Sequence, residues 1–218
     1  MILAVDTATR WTGLALYDGA AVLAEHGWRA VNTQTVELAP AVTRMLRGPG
    51  VSSGALQGIA VALGPGSYTG LRIGLGFAKG MALVHEIPLL GVPTLDIVAA
   101  ALPAQEGRLI VVAEAGRRRI TSAAYDWQGK RGWQADGQPI NETWPELLRR
   151  LTPPVAFAGE IAPQASKQIR AAGKGFQAIS PADRVRRAGY LAEIGWRRLQ
   201  RGDVDDPAAL TPLYLREP

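Results

Sequence analysis

Short apolar runs separated by polar turns open the chain. Residues 2–5 predict a β-strand that ends at Asp6, and the turn Thr7-Ala8-Thr9-Arg10 leads into a second strand over residues 13–17. Asp18-Gly19 is a hairpin signal, and residues 21–25 make a third strand. Over residues 35–47 the period changes. Val36, Leu38, Ala39, Val42, Met45 and Leu46 fall mostly at helical spacing, and Gly48-Pro49-Gly50 ends the helix they predict. Residues 56–63 are nearly all apolar, which suits a strand buried on both faces. A glycine-rich turn then leads into a helix over residues 71–85, and residues 88–92 return as a strand. Thr94 is placed to cap a further helix.

The second half is less regular. Residues 108–113 and 120–125 read as strands, with a turn at Gln128-Gly129-Lys130 before Trp133. Residues 142–151 predict a helix, 155–158 a strand and 163–172 a helix. Residues 185–200 predict an amphipathic helix with Leu191, Ile194, Gly195 and Leu199 inward and Arg186, Arg187, Arg197 and Arg198 mostly outward. The fold class is therefore α/β. Three strands, helix, strand, helix, strand, helix is the order of one ribonuclease-H-like lobe, as in actin, Hsp70 and sugar kinases (the ASKHA group). Two such lobes with mixed sheets flanked by helices are expected, 1–102 and 103–218, with the final segment packing back on the first.

Composition narrows the class. The chain has 218 residues, 47% of them apolar and 20% charged, as in a soluble globular protein. No apolar run reaches the roughly 20 residues needed to cross a bilayer. The N-terminus reads as a buried strand and not as a leader. Cysteine is absent, which excludes disulfides and thiolate metal sites and agrees with a cytoplasmic location. The net charge of +5 is uneven: residues 1–100 hold six basic and six acidic side chains, residues 101–218 eighteen and thirteen. The second half is thus the side to face an anionic partner, although the same excess also serves solubility and no aromatic–basic RNA motif accompanies it.

Two constellations bear on chemistry. Asp6, Thr7 and Thr9 close the first strand before a hairpin, a position from which this fold class can wrap a phosphate. The second is Gly64-Pro65-Gly66-Ser67-Tyr68-Thr69-Gly70, where glycine and proline permit a sharp turn and Ser67 or Thr69 can cap the following helix. Asp6, Thr7, Thr9, Gly64, Gly66, Ser67 and Thr69 are accordingly the candidate phosphate or nucleotide residues. No Gly-Lys-Ser/Thr follows, so the turn is not a Walker loop. The helix behind it carries Gly70, Gly74, Gly76 and Gly80, and interior glycines each cost up to about 1 kcal/mol against alanine. Close packing, within the lobe or against another chain, must compensate.

In order, ILAVDTAT, ALGPGSYTGLRIGLGFAKGMAL, LLGVPTLDIVA and PLYLR resemble the signatures of the TsaB (YeaZ) family. The match is close over residues 1–100, loose beyond, and returns at 212–216. The resemblance implies a partner subunit that dimerises with the fold-related catalytic subunit TsaD. With the ATPase TsaE, that pair transfers threonylcarbamoyl to the adenosine beside the tRNA anticodon. It implies no catalytic residue or metal in this chain, with ATP/ADP and metal on the partners, and only indirect contact with tRNA. The implied interface lies on the two first-lobe helices: Val36, Leu38, Val42, Met45, Leu71, Gly74, Leu75, Ala78 and Gly80. Without its partner, such a surface is expected to drive homodimerisation. Replacing Gly74 or Gly80 by leucine is expected to break pairing while the lobe stays folded.

The histidines fit that reading. TsaD-type metal sites use a histidine pair one helical turn apart, whereas this chain has only His26 and His85. His26 is expected at a strand end and His85 at a helix end. Two strings depart from the family: Asn32-Thr33-Gln34 replaces a histidine before the first helix, with Asn32 still able to cap, and Glu114-Ala115-Gly116-Arg117-Arg118-Arg119 replaces an Asp-Ala-Arg segment. The alternatives are a kinase-like ATP-binding enzyme, a metal-dependent glycoprotease-like hydrolase and a direct tRNA-binding module.

Overall fold

The structure, a computed structural model, describes residues 1–31 and 33–214. Asn32, and with it the expected cap, lies outside the described residues, as do Leu215 and Arg216 of the closing motif. The chain divides into two compact units, Met1–Ile97 with Arg187–Tyr214, and Val98–Arg186. This differs from a split at residue 102, because the boundary falls inside a helix and the first unit reclaims the chain after residue 186.

In the first unit, β1 (Ile2–Asp6), β2 (Trp11–Tyr17), β3 (Val22–Arg29), β4 (Gly58–Gly64) and β5 (Leu89–Pro93) form one sheet of order β3-β2-β1-β4-β5. The first three strands are an antiparallel meander, and β1-β4-β5 is parallel. Period-two alternation assigns the two faces. Leu3, Val5, Ile59, Val61 and Leu63 pack beneath α1 (Gln34–Arg47) and α2 (Tyr68–His85), joined by Leu38, Val42, Met45, Leu75 and Ala78. On the other face Ile2, Ala4, Ala15, Ala60 and Ala62 meet α6 (Ala188–Gln200) through Ala188, Leu191 and Ala192. The alanines leave room for a close helix: a Cβ on Gly195 would lie 2.6 Å from that of Ala60.

α6 starts three residues later than the sequence pattern predicts. Arg186 precedes it and is 5% exposed instead of facing outward, while Arg187 pairs with Glu25 of β3. After α6 the chain runs back over the sheet edge. The Asp205 backbone N–H donates to the Leu89 carbonyl (3.0 Å), its carboxylate accepts from the buried Gly91 N–H (2.6 Å), and Arg198 reaches that carboxylate at 3.2 Å. Leu213 N–H donates to the Leu63 carbonyl at 2.7 Å. Asp205→Ala strands a buried amide and releases this clasp, so it should destabilise the first unit by about 2 kcal/mol in urea titrations. Asp205→Asn, which keeps an acceptor, should lose less.

The second unit repeats the arrangement with β6 (Arg108–Glu114), β7 (Ile120–Trp127), β8 (Trp133–Glu142), β9 (Val155–Gly159) and β10 (Phe176–Ala178), in the order β10-β9-β6-β7-β8. Numbered within its own unit, each sheet runs 3-2-1-4-5, the ribonuclease-H-like arrangement. The helices α4 (Trp144–Arg150) and α5 (Pro163–Ala171) cover one face through Trp144, Leu147, Ala165 and Ile169, against Ile110, Val112, Val155 and Phe157. The helix predicted from residue 142 begins at 144 for a physical reason. Glu142 ends β8 with its carboxylate buried, accepting from the Ser122 hydroxyl and from Arg150 (2.7 Å). Thr143 then caps α4 in a reciprocal pairing with Glu146. Those bonds, first from the Thr143 backbone and then from its hydroxyl, hold the Glu146 carboxyl below the usual glutamate range. The cap is therefore complete at neutral pH and is lost only as pH falls through that lowered value. α3 (Thr94–Ala100) carries the boundary between the units.

Candidate functional site

The glycine turn and its helix form the most constrained part of the first unit. Ser67 is the N-cap of α2: its hydroxyl accepts from Gly70 N–H at 3.2 Å, while Thr69 lies exposed in the first turn. Thr94 does not cap α3. Its hydroxyl accepts from Gly64 N–H at 2.9 Å, tying the end of β4 to the next element.

The β1–β2 turn fits directly against the start of α2. Ser67 N–H donates to the Ala8 carbonyl at 2.6 Å, and the Thr7 hydroxyl donates to the Gly70 carbonyl at 2.7 Å. A Cβ at Gly66 would overlap the Ala8 carbonyl, one at Gly70 the Thr7 carbonyl, and one at Gly74 the Thr7 hydroxyl. Gly64 has φ +116° and lies against the Leu213 carbonyl. Asp6 and Thr7 are 1% exposed, and one Asp6 oxygen accepts from Ala8 N–H at 2.9 Å. Thr9 is also buried, with its hydroxyl accepting from Trp11 N–H. Structure thus brings the two turns together, but Asp6, Thr7, Thr9 and Ser67 bond to neighbouring backbone and the glycines admit backbone.

α2 has two unlike faces. Leu71, Gly74, Leu75 and Ala78 are buried in their own unit, as are Leu38, Val42 and Met45 of α1. These seven residues of the expected interface are unavailable to a partner, because they are the core that attaches the helices to the sheet. Val36 (70% exposed) and Gly80 remain outside. The rest of the outward stripe of α2 is Gly76, Leu83 and Val84, the last two 80% and 76% exposed. No atom lies within 4 Å of a Cβ added at Gly76 or Gly80. Gly76, Leu83 and Val84 were not among the expected residues, although they share this exposed face. The signal was present: residues 76, 80 and 84 recur every fourth position on one helix face.

Neither histidine joins a metal-type cluster. His26 sits inside β3 instead of at its end, stacked on Trp28 with ring centres 5.0 Å apart, and His85 closes α2. Among the described residues no group of three or more His, Cys, Asp or Glu side chains is placed to hold a metal ion. No described helix is long and apolar enough to cross a membrane.

The second unit has a cleft of about 830 Å³ at the carboxyl ends of β6 and β9, lined by the 116–119 hairpin and the starts of α4 and α5. Arg117 and Arg118 have φ +46° and +62°, and Arg119 N–H donates to the Gly116 carbonyl at 2.8 Å. This is a tight turn with two left-handed arginines where Asn-Gly is the relaxed choice. Each such residue costs roughly 1–2 kcal/mol. Arg117→Asn with Arg118→Gly should therefore stabilise the second unit by about 1 kcal/mol after the added glycine entropy is subtracted. Differential scanning calorimetry would read that gain.

Comparison with known proteins gives this geometry a lineage. The family model for TsaD, tRNA N6-adenosine threonylcarbamoyltransferase, matches residues 29–144. A Bacillus subtilis protein, tRNA threonylcarbamoyladenosine biosynthesis protein TsaB, is 31% identical over 99% of this chain and 93% of its own length. The chain belongs to the TsaB family. An Escherichia coli TsaB is 38% identical over 62% of this chain and 59% of itself. YeaZ from Pseudomonas aeruginosa superposes with a TM-score of 0.79 at 23% identity, covering 98% of this chain and 99% of that one, which shows a shared fold.

Proposed function

We propose that this TsaB-family chain is the non-catalytic subunit that pairs with a TsaD-type threonylcarbamoyltransferase for tRNA adenosine modification. The observation that carries the reading is the apolar stripe Gly76, Gly80, Leu83 and Val84 on α2, with Val36 exposed on the adjoining α1. Exposed apolar side chains at helical spacing on two neighbouring helices suit docking against another helical surface. Bare Gly76 and Gly80 allow the partner backbone to come close, which offsets their helix penalty.

Two further features support a supporting role over catalysis. The glycine turn of the first unit is filled by its own backbone, and the chain lacks the histidine pair that a TsaD-type metal site uses. ATP/ADP and metal are accordingly assigned to the partner subunits, TsaD and the ATPase TsaE. Light scattering coupled to size exclusion tests the reading with this chain alone, then mixed with TsaD of the same organism. A one-to-one heterodimer formed at the expense of any homodimer is expected. No complex at micromolar concentration, with or without nucleotide, would sink the pairing model.

A further inference from the structure

The second unit carries a cleft to which the pairing reading assigns no role. It lies where α/β sheets commonly receive ligands, outside the carboxyl ends of parallel strands. Its arginines are unequal. Arg119 is engaged, with its guanidinium donating to the Asn141 side chain (3.0 Å) and backbone carbonyl (2.6 Å). Arg117 and Arg118 are exposed, and among the described residues neither side chain has an ion-pair or hydrogen-bond partner. The left-handed turn fixes the backbone of two adjacent free guanidiniums at the mouth of a cleft. Arginine forks match phosphate oxygens in shape as well as charge.

We propose that this cleft seats a backbone phosphate of RNA, gripped by Arg117 and Arg118. The aromatic lining argues against a free nucleotide. Trp144 is only 8% exposed and packs on Phe157, so it offers no open face on which a base could stack. A phosphodiester whose base and sugar remain outside needs no such slot, and such contacts position an RNA without reading its sequence. The excess of eighteen basic over thirteen acidic side chains in residues 101–218 extends the attraction beyond the cleft. Two carboxylates oppose it. Glu160 is anchored at the strand ends by the Glu114 N–H (2.9 Å), and Glu114 itself also lines the cleft, so a phosphate is held to the hairpin side. The choice of RNA rests on the tRNA-modification reading above; the geometry does not.

The test is fluorescence anisotropy of a labelled, unmodified tRNA transcript, titrated with the full chain and with its TsaD complex between about 50 and about 200 mM salt. Arg117→Asn with Arg118→Gly keeps the turn relaxed while removing both charges. It should weaken binding at least fivefold (roughly) and reduce the salt slope by about 1 to 2. Arg117→Lys with Arg118→Lys should restore the salt slope but only part of the affinity, and Glu160→Gln should tighten binding. Wild-type affinity and slope in the Asn-Gly variant would overturn the proposal. So would wild-type protein that shows no salt-dependent RNA binding, or a variant that loses ATP binding but not RNA binding. Light scattering on the same samples reports pairing with TsaD separately, so failure of the subunit reading is distinguishable from failure of the cleft.

Discussion

Gly70→Ala should destabilise the first unit by about 3 kcal/mol, a large share of the roughly 5–15 kcal/mol that holds an ordinary domain folded. Two effects oppose each other at this position. Alanine is the better helix former by up to about 1 kcal/mol. The new methyl group, however, would overlap the Thr7 carbonyl, a backbone atom fixed in the β1–β2 turn. Overpacking in a rigid core typically costs 1–3 kcal/mol, roughly, and more when the obstacle is backbone. The clash wins. Gly66→Ala meets the Ala8 carbonyl in the same way, whereas Gly76→Ala and Gly80→Ala meet nothing and should each stabilise by about 0.5–1 kcal/mol. Urea denaturation of the four variants checks the pattern of signs. The same contacts change the expected result for leucine: Gly74→Leu should unfold the lobe against Thr7, and only Gly80→Leu should test pairing in a folded protein.

The second large effect concerns association. On the proposed pairing, Leu83→Glu with Val84→Glu should weaken binding of TsaD by more than about 100-fold, since two apolar side chains that the contact would bury become unpaired charges. Both residues are more than three-quarters exposed in the chain alone, so its own melting temperature should barely move. A normal melting curve together with undiminished heterodimer by light scattering would remove the end of α2 from the interface. A matching pair on the exposed face of α6, Arg197→Glu with Gln200→Glu, serves as the control.

Much of the first unit was legible because its pattern is local. Runs such as residues 56–63 and the glycine turn announce buried strand and tight packing from composition alone. The second unit was harder for stated reasons. β8 is an edge strand interrupted by Gly137 (φ +83°) and Pro139 and mostly exposed, so it lacks the alternation of a half-buried strand. β10 has three residues and no pattern to read. At the candidate site, helical spacing showed two apolar helices but could not tell the face that packs inward from the face left exposed. Leu71, Gly74 and Leu75 went inward because the sheet lay on that side. Only tertiary structure decides between two apolar faces of one helix.

The first unit is stitched from two stretches separated by the whole second unit, and this orders its folding during synthesis. Until residues 187–214 leave the ribosome, the alanine-rich face of the first sheet has no α6 to cover it, and β5 lacks the Asp205 clasp. Val98–Arg186 can close around its own core in the meantime. Residues 1–97 thus mature only after residues 187–214 have emerged, although they are translated before them.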